Sequence, residues 1–241
     1  IDDYAFAYCT SLASIVLHEG IEAIGEDVFI NTRMTELRLP STLVDLGVIS
    51  AIDTLCSIVV AEGGMFKSVD GVLFTADGRE LVKYPVAKTD RTYVVPEGVE
   101  KIGTVAFLQS RNLESVILPS TLKSIRSYTF EKCTSLETVV IPDDVVSIGT
   151  SAFYDCRALE TVVFGESLER IGDYAFLLCE SLGELTFRGD SIPALGYDVF
   201  QVGTEVLPVT VVVNSDLPSG FLDGTGWDYT EFDYRSLRFR K

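Results

Sequence analysis

The stretch Ile148-Gly149-Thr150-Ser151-Ala152-Phe153-Tyr154-Asp155-Cys156 returns 23 residues later as Ile171-Gly172-Asp173-Tyr174-Ala175-Phe176-Leu177-Leu178-Cys179. The same step links Ile102, Ile125, Ile148 and Ile171, then Phe107, Phe130, Phe153 and Phe176, and then Leu113, Leu136, Leu159 and Leu182. Whole units agreeing at one step exclude coincidence, so the chain reads as a stack of repeats. Working outward, residues 1–6 and 24–29 open earlier copies and Leu195-Gly196 opens the last. Leu46-Gly47 opens a degenerate copy in which Ile49 is expected to take the Phe place.

Each unit carries one strand signal. Leu136, Val139 and Ile141 are spaced for one buried face, Val140 points the other way, and Pro142 ends the strand. Equivalent strands centre on Ile15, Leu37, Ile58, Tyr93, Val116, Val139, Val162, Leu185 and Val211, which predicts nine rungs of one parallel sheet. A single unit cannot bury its Ile, Phe and Leu, so stability has to come from neighbours above and below. Stacking like on like predicts a Phe ladder and two aliphatic ladders. At about 4.8 Å per strand the sheet spans roughly 40 Å.

Two segments leave the period. Ile58 and Tyr93 stand 35 residues apart, and the excess contains Asp70-Gly71 and Asp77-Gly78 between alternating segments. These are hairpin turns. An insertion over about residues 62–90 is therefore expected, replacing loop at one unit's edge and costing less to remove than the C-terminal cap. Residues 214–241 carry the only Trp, Trp227, and are expected to cap the solenoid formed by residues 1–213.

Composition narrows the function classes. Acidic residues outnumber basic ones 36 to 19, a net charge of −17. Such a surface repels phosphate backbones and anionic lipid, which argues against nucleic-acid and membrane-surface binding. No apolar run approaches the roughly 18–20 residues of a membrane span, so no membrane insertion is expected. The first residues show neither the basic nor the apolar region of a signal peptide, and the chain is expected to be a mature or truncated piece.

The unit Ile-Gly-x-x-Ala-Phe-x-x-Cys-x-x-Leu-x-x-Val-x-Ile-Pro resembles the BspA-like, or treponemal-type, leucine-rich repeat over about residues 1–200. The insert from Phe66 to Pro85 and the ending around Trp227-Asp228-Tyr229 are similar to variations in that family. The pattern departs at Ile49, where Phe is missing, and at Asp2 and Arg126, where Gly is usual. The resemblance implies an α/β repeat solenoid, a right-handed stack with short parallel strands on the concave side and short helical turns and loops opposite. It further implies a bacterial cell-surface or secreted protein that binds or adheres, with no shared catalytic residues and an unidentified protein or glycan as partner. A spacer within a larger surface protein is the alternative, and a monomer is expected.

Residues able to carry chemistry have plainer readings. Cys9, Cys133, Cys156 and Cys179 share one repeat position with Thr32, Ser110 and Gly203, so the slot wants a small side chain rather than a thiol. Ligands along a column do not converge on a point, so buried free thiols are expected and no metal. His18 stands where other units place Pro119 and Pro142, a turn slot that makes a catalytic role unexpected. Asp2-Asp3 and Asp143-Asp144 are neighbouring loop carboxylates, unlike a pair facing across a cleft. Neither a catalytic residue nor a cofactor is expected. Arg188-Gly189-Asp190 spells an integrin-type tripeptide but occupies a recurrent turn. The stronger candidate is the outward stripe Val16, Arg38, Val59, Val94, Ile117, Val140, Val163 and Thr186, because a mostly aliphatic exposed row suits a partner.

Overall fold

The computed structural model describes residues 1–50, 52–191, 193–200, 210–213 and 238–240. The N-terminal part holds β1 (Ala23–Ile24), β2 (Glu36–Leu39), β3 (Asp45–Leu46) and β4 (Ser57–Val60). The insertion holds β5 (Phe66–Val69), β6 (Val72–Thr75) and β7 (Glu80–Lys83). Then come β8 (Thr92–Val94), β9 (Lys101–Ile102), β10 (Ser115–Ile117), β11 (Ser124–Ile125), β12 (Thr138–Val140) and β13 (Ser147–Ile148). The series closes with β14 (Thr161–Phe164), β15 (Arg170–Ile171), β16 (Glu184–Phe187), β17 (Ala194–Leu195), β18 (Thr210–Val213) and β19 (Arg238–Arg240).

Each regular unit thus contributes two strands, one to each of two ladders. The expected strand centred on Val139 is β12, and the repeat's Ile opens a second, two-residue strand such as β13. The first ladder is a seven-stranded sheet, β8 through β18 with β19 beyond it, plus a separate pair of β2 and β4. The second is an eight-stranded sheet ending in the hairpin strands, plus a pair of β1 and β3. Nine rungs of one sheet were expected. The ladder instead breaks between β4 and β8, and the segment around Ile15 forms no strand.

The α/β expectation is also corrected, since the chain is a β-solenoid of about eight turns with no helix among the described residues. Backbone hydrogen bonds give the reason. In the unit 149–156, Ser151, Phe153 and Asp155 donate their N–H groups to Asp173, Ala175 and Leu177 of the next unit, at 2.7–2.8 Å. Only the alternate residues Ala152, Tyr154 and Cys156 donate within the turn, each to the carbonyl three residues back. A helix needs every N–H for its own chain. Ser151 (φ 52°) and Asp155 (φ 59°) also sit in the left-handed region, repeated at Tyr174 (58°) and Leu178 (63°). That conformation costs about 1–2 kcal/mol per non-glycine residue, offset here by the bonds between units.

The repeat glycine serves a different need. Gly149 and Gly172 do not adopt positive φ, but a Cβ on either would lie 2.5–2.6 Å from backbone atoms of the preceding unit. Close stacking excludes a side chain at these two units, whereas Arg126 carries one at the same repeat position and reaches Glu80 at 3.4 Å.

The side chains of the stack form ladders. Ring centroids of Tyr84, Phe107, Phe130, Phe153, Phe176 and Phe200 follow at 5.0, 4.8, 5.0, 4.9 and 5.4 Å, near-parallel throughout. Phe6 and Phe29 make a separate stack at 6.0 Å. The copy between the two runs, opened by Leu46-Gly47, has no ring at the Phe position. Ile52 is buried, and Leu55 N–H bonds to its carbonyl as Leu113 does to Ser110, so Ile52 fills the small-residue slot. Ile49 packs half-buried beside it, leaving a shallow gap lined by Ile24, Val28 and Phe29.

The insertion is where the expectation fails most clearly. Its hairpins form as read, β5 with β6 and β6 with β7 antiparallel. They are no edge loop. β7 pairs parallel with β9, placing Leu81 opposite Ile102, and Tyr84 donates to Ala106 as Phe107 does to Thr129. Leu73 belongs to the N-terminal core while Val72, Phe74, Leu81 and Tyr84 belong to the C-terminal one. The hairpin therefore joins two cores. The expected cap at residues 214–241, with Trp227, lies outside the described residues except for β19, which pairs parallel with β18.

Candidate binding face

Strand alternation turns Val139, Val162 and Leu185 into the core and their neighbours outward. The expected stripe residues are placed accordingly. Val16 (73 %), Val94 (58 %), Ile117 (52 %) and Val140 (44 %) are exposed, as is Arg38, while Val59, Val163 and Thr186 are half-buried. Pairing sets Val94 beside Ile117, Val140 beside Val163, and Val163 beside Thr186. Val212 follows Thr186 and extends the row. Its place is legible in the sequence, where Val211 centres a strand.

The row is shorter at its start than the sequence suggests. Arg38 and Val59 pair with each other in the detached sheet, and the hairpin lies between them and Val94. Ile58 N–H donates to Gly71 and Val60 N–H to Ser68 Oγ, so the insertion occupies the edge of β4. Six consecutive rungs, Val94 to Val212, form the continuous face.

Two further rows went unread in sequence. Thr92, Ser115, Thr138, Thr161, Glu184 and Thr210 stand in register two residues before the aliphatic row, giving a line of mostly hydroxyl groups. Flanking them, Glu114, Glu137 and Glu160 stack through Glu137 N–H to Glu114 O (3.0 Å) and Glu160 N–H to Glu137 O (2.8 Å). Their signal was the fixed position after each repeat Leu. The far ends of the strands carry Glu97, Asp143, Asp144 and Glu166, all exposed.

The remaining candidates fall into structural roles. Gly189 is buried and a Cβ there would meet Glu166 O at 2.6 Å, so close packing explains the glycine of Arg188-Gly189-Asp190. Arg188 reaches Asp143 at 3.5 Å, and Arg188 and Asp190 are exposed. His18 is exposed, and its carbonyl receives Ile21 N–H in the turn that Pro119 and Pro142 make elsewhere. Asp3 Oδ1 accepts the Glu26 N–H at 2.7 Å, while Asp144 pairs with Lys123. Among the described residues no three His, Cys, Asp or Glu side chains are grouped to hold a metal.

Cys133, Cys156 and Cys179 are buried and free, each thiol donating to a Phe carbonyl one unit back at 3.1–3.2 Å. Burial pushes the Cys133 thiol up to about 12 and Cys156 well above its ordinary value. Cys9 and Cys56 are exposed, against the expectation of burial for Cys9. Lys83 was missed altogether. It is 2 % exposed, its Nζ donates to Val105 O at 2.9 Å, and burial lowers its amine to about 7. Burial likewise holds the phenols of Tyr84 and Tyr93 neutral, Tyr93 at about 12. These groups face the core.

The BspA type leucine rich repeat region family matches residues 1–50 and 90–205 in six copies. No curated protein matches the chain. Among solved structures, a leucine-rich repeat protein from Eubacterium ventriosum superposes with a TM-score of 0.70 at 20 % identity, covering 81 % of this chain and 57 % of its own. The pneumococcal vaccine antigen PcpA gives a TM-score of 0.70 at 24 % identity, covering 99 % of this chain and 65 % of its own. A leucine rich cell surface protein from Faecalibacterium prausnitzii gives 0.64 at 26 % identity, covering 77 % and 56 %. The chain thus spans less than two thirds of the length of each of these relatives.

Proposed function

Since the chain belongs to the BspA-type leucine-rich repeat family, we propose that it is a non-catalytic binding or adhesion module of a bacterial cell-surface or secreted protein. It engages a protein or glycan through the outward face of the seven-stranded sheet. The observation that carries this reading is the in-register aliphatic row, exposed at Val94, Ile117 and Val140. Every strand beneath it is held by its neighbours, so a partner meets a preorganised surface with little ordering cost. The module acts as a monomer.

The test is an array of extracellular-matrix proteins and glycans probed with the full chain. Ile117→Glu, Val140→Glu and Val163→Glu together should weaken the binding found by at least about tenfold, about 1.4 kcal/mol. These side chains point away from the core, so folding should be retained. Undiminished binding by the triple variant would place the partner elsewhere. A spacer role is favoured by one observation, the chain's coverage of only 56–65 % of its structural relatives. In that case the array stays blank for the parent as well.

A further inference from the structure

The aliphatic row lies between two acidic borders. On one side Glu114, Glu137 and Glu160 stack rung on rung, and Glu184 interrupts the hydroxyl row beside them. On the other side stand Glu97, Asp143, Asp144 and Glu166. Several of these carboxylates are answered within the chain, Glu114 by Arg91, Asp144 by Lys123 and Asp143 by Arg188. Glu97 is held by Ser120 N–H and Oγ at 3.2 and 3.1 Å. Glu137, Glu160, Glu166 and Glu184 form no ion pair among the described residues. They surround the part of the row formed by Val140, Val163 and Thr186.

Like charges on adjacent rungs repel, and a sheet gains nothing from holding Glu137 beside Glu160. Solubility alone needs no such alignment with an apolar row. From Glu137 to Asp143 is a run of six steps, of which Thr138–Val140 is strand and Asp143 is turn, so at about 3.3 Å per residue the borders stand at most roughly 20 Å apart. A helix about 10–12 Å across fits between them with room for long side chains to reach outward. Apolar residues three and four apart on a helix are about 5–6 Å from one another, close to the rung spacing of about 4.8 Å.

Resting on the binding-face reading above, we propose that this face docks a basic amphipathic helix of a protein partner. The helix lies along the direction in which the strands stack. Its apolar stripe covers Ile117, Val140 and Val163, and its lysines or arginines reach the acidic borders on both sides. The hydroxyl row tolerates the polar edge of that helix without leaving a buried charge unpaired.

The probe is a synthetic helical peptide with one leucine stripe bordered by lysines, titrated against the full chain by fluorescence anisotropy. A scrambled peptide of the same composition and a version with glutamine for every lysine serve as comparisons. The parent should bind the leucine–lysine peptide about tenfold more tightly than either, and rising salt should weaken it. Glu137→Gln, Glu160→Gln and Glu166→Gln together, all exposed and isosteric, should weaken it by about tenfold as well. Equal binding of the scrambled peptide, an unaffected glutamine triple, or no binding by the parent overturns the proposal. If the glutamine peptide binds as well and the Ile117, Val140 and Val163 glutamate triple loses it, the basic helix falls while the binding face stands. If that glutamate triple changes nothing, both fall.

Discussion

At the residue scale the informative positions are those that break a local rule and are held anyway. Lys83 shares an inward face with Leu81 by simple alternation, yet it is charged in any exposed setting and so reads from sequence as surface. Its burial has a pH signature. The amine titrates near 7 when folded and near its ordinary value of about 10.4 when unfolded. Below pH 7 both states carry the proton, and the cost of burying the charge is fully present. As pH rises above 7 the unfolded state holds a proton that the folded state has lost, so stability increases, by at most about 1.4 kcal/mol per pH unit. The buried thiols of Cys133 and Cys156 act in the opposite sense above about pH 8.5, where the unfolded thiols ionise and the folded ones do not. Denaturant midpoints should therefore climb between pH 7 and about 8.5 and then level or fall. Lys83→Met should raise the midpoint at pH 7 and remove the climb. A parent whose midpoint is flat across that window would mean that Lys83 is charged and solvated. Thiol accessibility checks the same core from another side. Cys9 and Cys56 should react in the folded chain, and all five cysteines after unfolding without reductant. Three or fewer reactive groups in the unfolded chain would mean that disulfides had formed.

At the scale of elements, period and face were legible because both are written in side-chain spacing. The 23-residue step gave the stack, alternation gave the outward row, and Asp-Gly pairs gave the hairpins. What stayed hidden depends on the backbone. The turns opposite the long sheet were expected to be helical, but side-chain pattern says nothing about whether Ser151 donates to its own turn or to Asp173. The two-residue strands such as β9 and β11 escaped for the same reason, being too short to show alternation. The insertion was misjudged because Val72, Leu73 and Phe74 form a short apolar run, which marks burial without saying against what. Its role is measurable. Phe74→Ala should cost about 3–5 kcal/mol and Leu73→Ala about 2–5 kcal/mol, as buried truncations do. Val69→Ala, in the same hairpin but 44 % exposed, should stay within about 0.5 kcal/mol. Midpoints for Phe74→Ala and Leu73→Ala equal to the parent's would return the hairpin to the status of an edge loop.

For the whole molecule the governing fact is that any strand left without a neighbour is an open edge. β8 and β4 illustrate how the chain treats an interior break, since the hairpin supplies Gly71 and Ser68 to the N–H groups of β4. The C-terminal end of the long sheet is treated similarly, with β19 pairing along β18 at Thr210, Val211 and Val212. Val211 is buried, whereas an uncovered last rung would expose it and leave a row of free N–H and C=O groups. Such an edge is a template for a second chain. Removing residues 214–241 takes away β19, so the truncated protein should self-associate as its concentration rises. It should also lose the single cooperative transition, because the terminal repeats would fray before those between Val116 and Leu185. Light scattering and a denaturant titration followed by circular dichroism would register the two effects. A truncated chain that remains monomeric and unfolds at the parent's midpoint would show that the last rung needs no cover. The protection of Val211 would then come from the repeat itself.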